Sequence, residues 1–500
     1  MGKHIKSSKF SQNDYIAFSK KVRDELDVLR QVIALPGFGE SPTSIGAELE
    51  FYIVDQQGHT LRINDTLCKE INHPQLQPEL NRFNIEYNLA PQPIAGKPLT
   101  AMENEISRIW KTLNIEAGKH GGEVVPIGIL PTLKRTDFGT ESMTDIPRYH
   151  ALSDGLRAMR GSPFEIAIQG EDTLSLTAED VTLEGANTSF QFHWKMPPEQ
   201  FVDAFNATQL ITPVVTAISA NSPFLLHHSL WEETRIALFK QSIDVRVFDL
   251  NSSAPCFWRE PARVDYGQGW LRKSPIELFE HAVLLHPPLL PIVEEEDSRQ
   301  LVTQGIVPEL KNLRLHHGTT WAWNRAVYDH SGSGHLRIEL RFLPAGPTLQ
   351  DMLASATFAI GCAMAVMPDI EPVISGLPFK YAKRNFYEAA RYGNAANLVW
   401  PTHNQTMLTQ QPVIDIAKAL LPRATEALIK AGIDHDEVVT RMENIKNRLE
   451  ADITGASWQR TLVRKLQANC NRQEACQEMF NLYRKNQRTK AGIADWSTQI

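Results

Sequence analysis

Four short stretches in which apolar and polar residues alternate, with acids, amides, a histidine and arginines on the polar sides, constrain this chain more than anything else in it. In SIGAELEFYIVD, residues 44–55, Ile45, Ala47, Leu49, Phe51 and Ile53 share one face of an extended chain. Gly46, Glu48, Glu50 and Tyr52 share the other, because successive side chains of a strand point to opposite sides. RFNIEYN sets Phe83, Ile85 and Tyr87 against Asn84, Glu86 and Asn88. SFQFHWK sets Phe190, Phe192 and Trp194 against Ser189, Gln191, His193 and Lys195. LRIELRF sets Leu336, Ile338, Leu340 and Phe342 against Arg337, Glu339 and Arg341. One such stretch alone reads as an ordinary strand with a solvated outer face. Together they predict a single concave polar surface carrying four carboxylates, one imidazole and two guanidiniums.

Clustered carboxylates repel, so their protons return unless a cation is shared among them. In a metal-free chain each acid of such a cluster therefore contributes repulsion. Hard oxygen ligands suit magnesium or manganese, and one imidazole among them tilts toward manganese. Arginines beside such ions suit a transferring phosphoryl group. No GxxxxGK[ST] loop is present, so a P-loop nucleotide site is excluded. The residues alone thus suggest metal-dependent use of a nucleotide on an antiparallel sheet.

The rest of the chain bounds this reading. Its 500 residues, 42% hydrophobic and 22% charged, suit one large folded domain or two to three average ones. A net charge of −7 argues against nucleic-acid or polybasic membrane partners. Cys68, Cys256, Cys362, Cys470 and Cys476 are scattered, without zinc spacing or a disulfide framework, and Cys256 reads as a packed thiol. The opening MGKHIKSSKFSQNDY lacks the apolar stretch of a secretory signal. The most apolar window, 352–367, is shorter than the roughly 20 residues of a spanning helix and reads as a buried one, so a cytoplasmic location is expected. Helices are expected over 13–35, 99–118 and 199–220, and from about 401 the chain reads as almost all helix. His227-His228 and His316-His317 read as loop or surface pairs, and Arg484 to Lys490 as an exposed helix end.

Several motifs resemble a known family. Glu-Leu-Glu, Asn-Ile-Glu-Tyr-Asn and Ile-Glu-Leu-Arg resemble the active-site strands of the glutamine synthetase and glutamate–cysteine ligase superfamily. IPRYHAL, SANSPF, LWEETRIALF, WAWNRAVYD and HLRIELRFLPAGPT, in that order, resemble glutamate–cysteine ligase family 2 over residues 44–370, with weaker similarity at GASWQ, 455–459. The resemblance implies an α+β fold: a glutamine-synthetase-like curved, mainly antiparallel sheet forming an active-site funnel, with outer helices. The catalytic domain would span 1–400, with a helical C-terminal region, 401–500, packed on it.

The implied activity is ATP-dependent joining of a glutamate-like carboxylate to an amine through an acyl phosphate, with two or three magnesium or manganese ions. The amine could be cysteine, another amino acid or a polyamine. Glu48, Glu50, Glu86, His193 and Glu339 match metal ligands; Arg341, Arg325 and Arg148 match catalytic arginines; Arg235, Asn88 and Asn221 match substrate contacts. Many relatives carry His-x-His where Gln191-Phe192-His193 stands, and an amide oxygen ligates magnesium only weakly, so the number of ions stays open. The expected partners are small molecules, and a homo-oligomer is left open. Two alternatives remain: a phosphotransferase on a related scaffold, such as a guanidino kinase, and a non-catalytic homologue that binds nucleotide or amino acid.

Overall fold

The computed structural model describes residues 10–247, 260–402, 407–489 and 491–499. Cys256 lies outside them. The four alternating stretches form strands of one sheet, whose centre is β1 (Ser44–Asp55). The others are β2 (Leu76–Pro78), β3 (Asn84–Asn88), β4 (Gln92–Pro93), β5 (Gly122–Val125), β6 (Phe190–Lys195), β7 (Asn324–Asp329) and β8 (His335–Leu340). The order is β7-β8-β6-β1-β3-β2, with β4 and β5 each pairing one end of β1, and every pairing is antiparallel. The sheet curls into half a barrel.

The alternation holds. Ile45, Ala47, Leu49 and Phe51 of β1 and Leu336, Ile338 and Leu340 of β8 are all buried. Tyr52 departs from its expected polar face. It is fully buried, its hydroxyl donates to the Ala186 carbonyl at 2.6 Å, and its ring stacks on Phe83 at 6.0 Å. Aromatic packing closes the polar surface at that end.

Helices pack around the sheet and on one another. α1 (Gln12–Ile33) starts at a Ser11–Asp14 capping box and buries Phe18, Val22, Leu26 and Leu29 at helical spacing. α2 (Pro98–Lys119) receives its N-terminal cap from far along the chain: the Glu437 carboxylate accepts from the N–H groups of Leu99 and Thr100 at 3.2 and 2.8 Å. α3 (Pro147–Arg160) ends on Gly161, at φ 71°.

α4 (Phe201–Ile218) and α5 (Leu349–Val366) are apolar nearly all round and form the centre of the core, in contact with each other. With their flanking turns they run to 21 and 28 residues, so the apolar run at 349–376 is longer than the 352–367 window alone suggests. Both are apolar enough to cross a bilayer, but they lie mostly buried within the fold.

Four helices follow: α6 (Val413–Lys430), α7 (His435–Glu450), α8 (Gly455–Leu466) and α9 (Arg472–Gln487). α6 and α7 pack on α5. Arg448 of α7 donates to Ser355 of α5 at 3.0 Å and to the Ile218 carbonyl at the end of α4. The expected boundary at 400/401 falls inside a hairpin, because Asn397–Pro401 pairs with Leu408–Pro412. The C-terminal region therefore begins with a strand, not a helix.

Two other expectations change. His316 and His317 are not a surface pair: they close the short helix Lys311–His317, and their Nε2 atoms lie 2.9 and 2.8 Å from the carbonyls of Ala282 and Ala326. In the expected exposed helix end, Lys485 and Arg488 are exposed but Arg484 is not, and it and Arg488 both pair with Glu123. His227 sits in a tight turn, as expected, and His228 opens the short strand after it, opposite Leu225.

Candidate active site

Strand register joins the polar faces into one surface. Glu48 lies opposite Asn88 and Glu50 opposite Glu86 across β1 and β3. Across β1 and β6, Gly46 lies opposite His193 and Glu48 opposite Gln191. His193 in turn lies opposite Glu339 across β6 and β8, and Glu339 opposite Arg325 across β8 and β7. Arg341 follows β8 directly. Eight of the predicted residues thus meet: Glu48, Glu50, Glu86, Asn88, His193, Arg325, Glu339 and Arg341.

They form two groups of different electrostatic character. In the first, one ligand atom each of Glu48, His193 and Glu339 lies within 4.8 Å of the others. Arg325 donates twice to Glu339, at 2.5 and 3.0 Å, and Arg341 donates once, at 3.1 Å. Burial pushes the Glu339 carboxyl up, but the charges of Arg325, Arg341 and His193 outweigh it and hold it well below the usual carboxylate range. Glu48 behaves likewise: burial raises it, and the charge and nearness of His193 more than reverse that.

The second group is Glu50, Glu79 and Glu86, again within 4.8 Å. Burial, then Glu79, push Glu50 up to about 7. Burial, then Glu48, Glu79 and Glu50, push Glu86 well above its ordinary value, and burial raises Glu79 too. Glu184, close by, is pushed up to about 8 by burial and then by Glu79 and Glu50. These acids hold protons in a place where a divalent cation would displace them, and this donor set of carboxylate oxygens fits magnesium or manganese.

Gln191 is a bridge rather than a ligand. Its Nε2 donates to Glu50 at 2.9 Å and its Oε1 accepts from Arg341, so its amide oxygen is already engaged. It links the two groups. Glu50 is further fixed by the Ser189 backbone N–H and hydroxyl, at 2.7 and 3.0 Å. Asn88 donates to Glu86 at 2.7 Å, which places it as a support of an acid.

His193 has an unexpected partner. Arg337 Nε donates to its Nδ1 at 3.1 Å, and Asp329 holds Arg337 at 3.0 Å. A neutral ring so arranged carries its hydrogen on Nε2, which lies 3.0 Å from Glu48 Oε1 but off the line of a good hydrogen bond. To ligate a metal through Nε2, a neutral His193 would have to carry its hydrogen on Nδ1 and release Arg337.

Two predicted substrate contacts are not brought to this surface. Arg235 is 2% exposed, donating to Glu233 at 3.1 Å and to the Phe342 carbonyl at 2.7 Å; it stiffens the chain just after Arg341. Asn221 is fully buried, donating to the Ala345 carbonyl at 2.8 Å and to Tyr483 at 3.0 Å, and accepting from Gln459 at 2.9 Å. A Cβ added at Gly455 would come within 2.1 Å of its Oδ1. SANSPF, LPAGPT and GASWQ therefore converge on one structural junction.

Arg148, in the first turn of α3, has no hydrogen-bond or ion-pair partner among the described residues. Its neighbour Tyr149 feels Glu79 and Glu86 and donates to the Pro78 carbonyl at 3.1 Å, so the start of α3 lies beside the second group.

The strand patterns missed Glu79 and Glu184. Glu79 was within reach: it lies two residues beyond Gln77, which pairs with Glu86, so the period of two continues through Pro78. Glu184 sits in a single 3-10 turn that has no period to read.

Comparison with known proteins agrees with this geometry. The model of glutamate-cysteine ligase family 2 matches residues 44–258, less than the 44–370 that the motifs suggested. No curated protein matches the chain in sequence. Among solved structures, the chain is similar to a glutamate–cysteine ligase from Francisella tularensis, in complex with AMP, at 11% identity and a TM-score of 0.52, covering 90% of each chain. A bifunctional glutathione synthetase from Pasteurella multocida matches at 11% identity and a TM-score of 0.47, covering 94% of this chain and 55% of that one. The ligase PafA, in complex with the ubiquitin-like protein Pup, matches at 10% identity and 0.40, covering 88% and 72%. The last two scores are too low to bear on the fold; the first shows it. Strands β1, β3 and β6 lie inside the segment 44–258 that the family model matches, and the fold is similar to that of the first of these structures.

Proposed function

We propose that the protein is an ATP-dependent ligase that joins the carboxylate of a glutamate-like acid to an amine. The observation that carries this reading is the pair of carboxylate groups on one sheet face, with Arg325 and Arg341 converging on Glu339 between strands. Glu48 and Glu339 on one side, and Glu50, Glu79 and Glu86 on the other, would hold magnesium or manganese. The ions, when bound, neutralise polyphosphate charge and orient the γ-phosphoryl group.

The chain's own residues account for the rest. Arg325 and Arg341 are preorganised by Glu339 and need no reorganisation to meet charge developing on the transferring group. Gln191 keeps the Arg341 side chain in register with Glu50. Arg148, unpaired among the described residues and beside the second group, is suited to grip the carboxylate of the acid substrate. In the first step the substrate carboxylate oxygen takes the γ-phosphoryl group and ADP leaves. In the second, the amine nitrogen attacks the acyl carbon, the carbon–oxygen bond to phosphate breaks, and the nitrogen loses a proton as the amide forms.

Cys68, Cys362, Cys470 and Cys476 are free thiols, which suits a reducing, cytoplasmic setting.

The test uses the full chain with magnesium, ATP, glutamate and a panel of amines. Amine-dependent phosphate release with an amide product detected by mass spectrometry is the expected result. A stable phosphorylated product in place of an amide would mean a phosphotransferase, and nucleotide binding without turnover on any amine would mean a binding protein.

A further inference from the structure

His193 stands within reach of Glu48 and Glu339, yet its surroundings are the reverse of those that prepare an imidazole for a metal. A ligating histidine hands the hydrogen of its other nitrogen to an acceptor, such as a carboxylate or a backbone carbonyl, and so bares the nitrogen that faces the ion. His193 meets a donor there instead. Arg337 Nε donates to its Nδ1 at 3.1 Å, and a guanidinium has no lone pair to offer in return. Nδ1 is therefore bare, and Nε2, 3.0 Å from Glu48 Oε1, carries the ring hydrogen. Neither nitrogen is open to an ion.

The fold keeps Arg337 in that place. Strand register sets Arg337 opposite Lys195, two residues along from the pairing of Glu339 with His193. Its Nη1 donates to Asp329 Oδ2 at 3.0 Å, and the Ser331 backbone N–H donates to Asp329 Oδ1 at 2.9 Å. Asp329, at the end of β7, thus aims the guanidinium. The two side chains are 24% and 27% exposed, so they stand at the rim of the polar surface and can be replaced without opening the core. Arg337 and Arg341 flank Glu339 on one face of the strand and divide the work: Arg341 holds the acid, and Arg337 holds the imidazole.

The consequence is a choice of metal. With His193 withheld, the first group offers only the oxygens of Glu48 and Glu339, as the second offers only those of Glu50, Glu79 and Glu86. Carboxylate oxygens suit magnesium, whereas an imidazole among them shifts a site toward manganese and the later transition metals.

We propose that Arg337, aimed by Asp329, is a metal-selectivity residue: it keeps His193 off the ion and leaves the first group an all-oxygen centre matched to magnesium. Arg337 acts through His193 and is a positioning residue. The proposal rests on the ligase reading, in which this group holds a divalent ion, and says which of its side chains does not.

Manganese bound to the full chain reports on it, because a nitrogen bonded directly to the ion modulates its electron spin echo. The parent should show no directly bound nitrogen. In Arg337→Leu the hydrogen can move to Nδ1 and free Nε2, so a bound-nitrogen signal should appear, and the ratio of manganese to magnesium affinity, read by calorimetry, should rise about tenfold. Adding His193→Gln should abolish that signal. Arg337→Lys should keep the parental spectrum and ratio, because an ammonium also donates and cannot accept. Asp329→Asn, which only loosens Arg337, should move both readouts in the direction of Arg337→Leu, and it serves if that variant does not fold. A bound nitrogen in the parent, or an Arg337→Leu protein with the parental spectrum and ratio, would overturn the proposal and leave the ligase reading intact. A full chain that binds neither manganese nor magnesium would overturn both.

Discussion

Glu339 and Glu86 are buried acids on the same sheet face, yet neutralising them should act in opposite directions. Glu339 is the buried, shared partner of Arg325 and Arg341, so Glu339→Gln leaves two half-buried guanidiniums undercompensated. It should lower stability by about 3–5 kcal/mol and turnover by about 10²–10³. The charges that weigh most on Glu86 are those of Glu48, Glu79 and Glu50, and Asn88 donates to it. Glu86→Gln should therefore raise the melting temperature of the metal-free protein at pH 8 and weaken magnesium binding. Calorimetric melts in EDTA and a magnesium titration check both. The rule that every acid of a metal-free cluster is repulsive holds for Glu86 and fails for Glu339, because the arginines were visible in the sequence but their contact with Glu339 was not. Arg235 makes the same point. Its motif suggested a substrate contact, but it bridges Glu233 and the Phe342 carbonyl. Arg235→Met should unfold the protein more easily, by about 3–5 kcal/mol in urea melts, rather than raise one Michaelis constant selectively.

Among elements, β1 and the 3-10 turn Glu184–Ala186 carry a pH dependence of defined sign. An unfolded glutamate titrates near 4.5, whereas Glu50 titrates at about 7 and Glu184 at about 8. Between those values the native state keeps protons that the unfolded state has lost. Stability from these groups is full below about 4.5 and falls as pH rises through 7 and 8. Urea melts of the metal-free protein should show that decline, and saturating magnesium should flatten it. On β8, Leu340→Ala should cost roughly 2–5 kcal/mol, since Leu340 is fully buried on the face opposite Glu339. These faces were legible because a strand repeats every two residues, and all four patterned strands lie in one sheet. Glu184, in a 3-10 turn, repeats nothing. Asn221 lies in a motif that carried only a resemblance, and a motif does not distinguish a residue that touches substrate from one that locks Ala345, Tyr483 and Gln459 together.

At the scale of the molecule, the helical C-terminal region is part of the same body as the sheet. Glu437 caps α2, Arg448 ties α7 to α4 and α5, and Tyr483 reaches Asn221. A chain ending at residue 400 would lose one strand of a hairpin and the cover of α5, so it should fail to fold cooperatively by circular dichroism. Sequence reading found the helices but drew the boundary through that hairpin, because Leu408–Pro412 is too short to carry a pattern. All of this architecture serves one arrangement: two carboxylate groups on a curled sheet, held apart by Gln191 and neutralised only in part by Arg325 and Arg341. Calorimetric titration of ATP into the full chain, with magnesium and then with EDTA, tests that arrangement most directly. Tight binding that needs magnesium and disappears in EDTA is the predicted result; equal ATP binding in both conditions would contradict it.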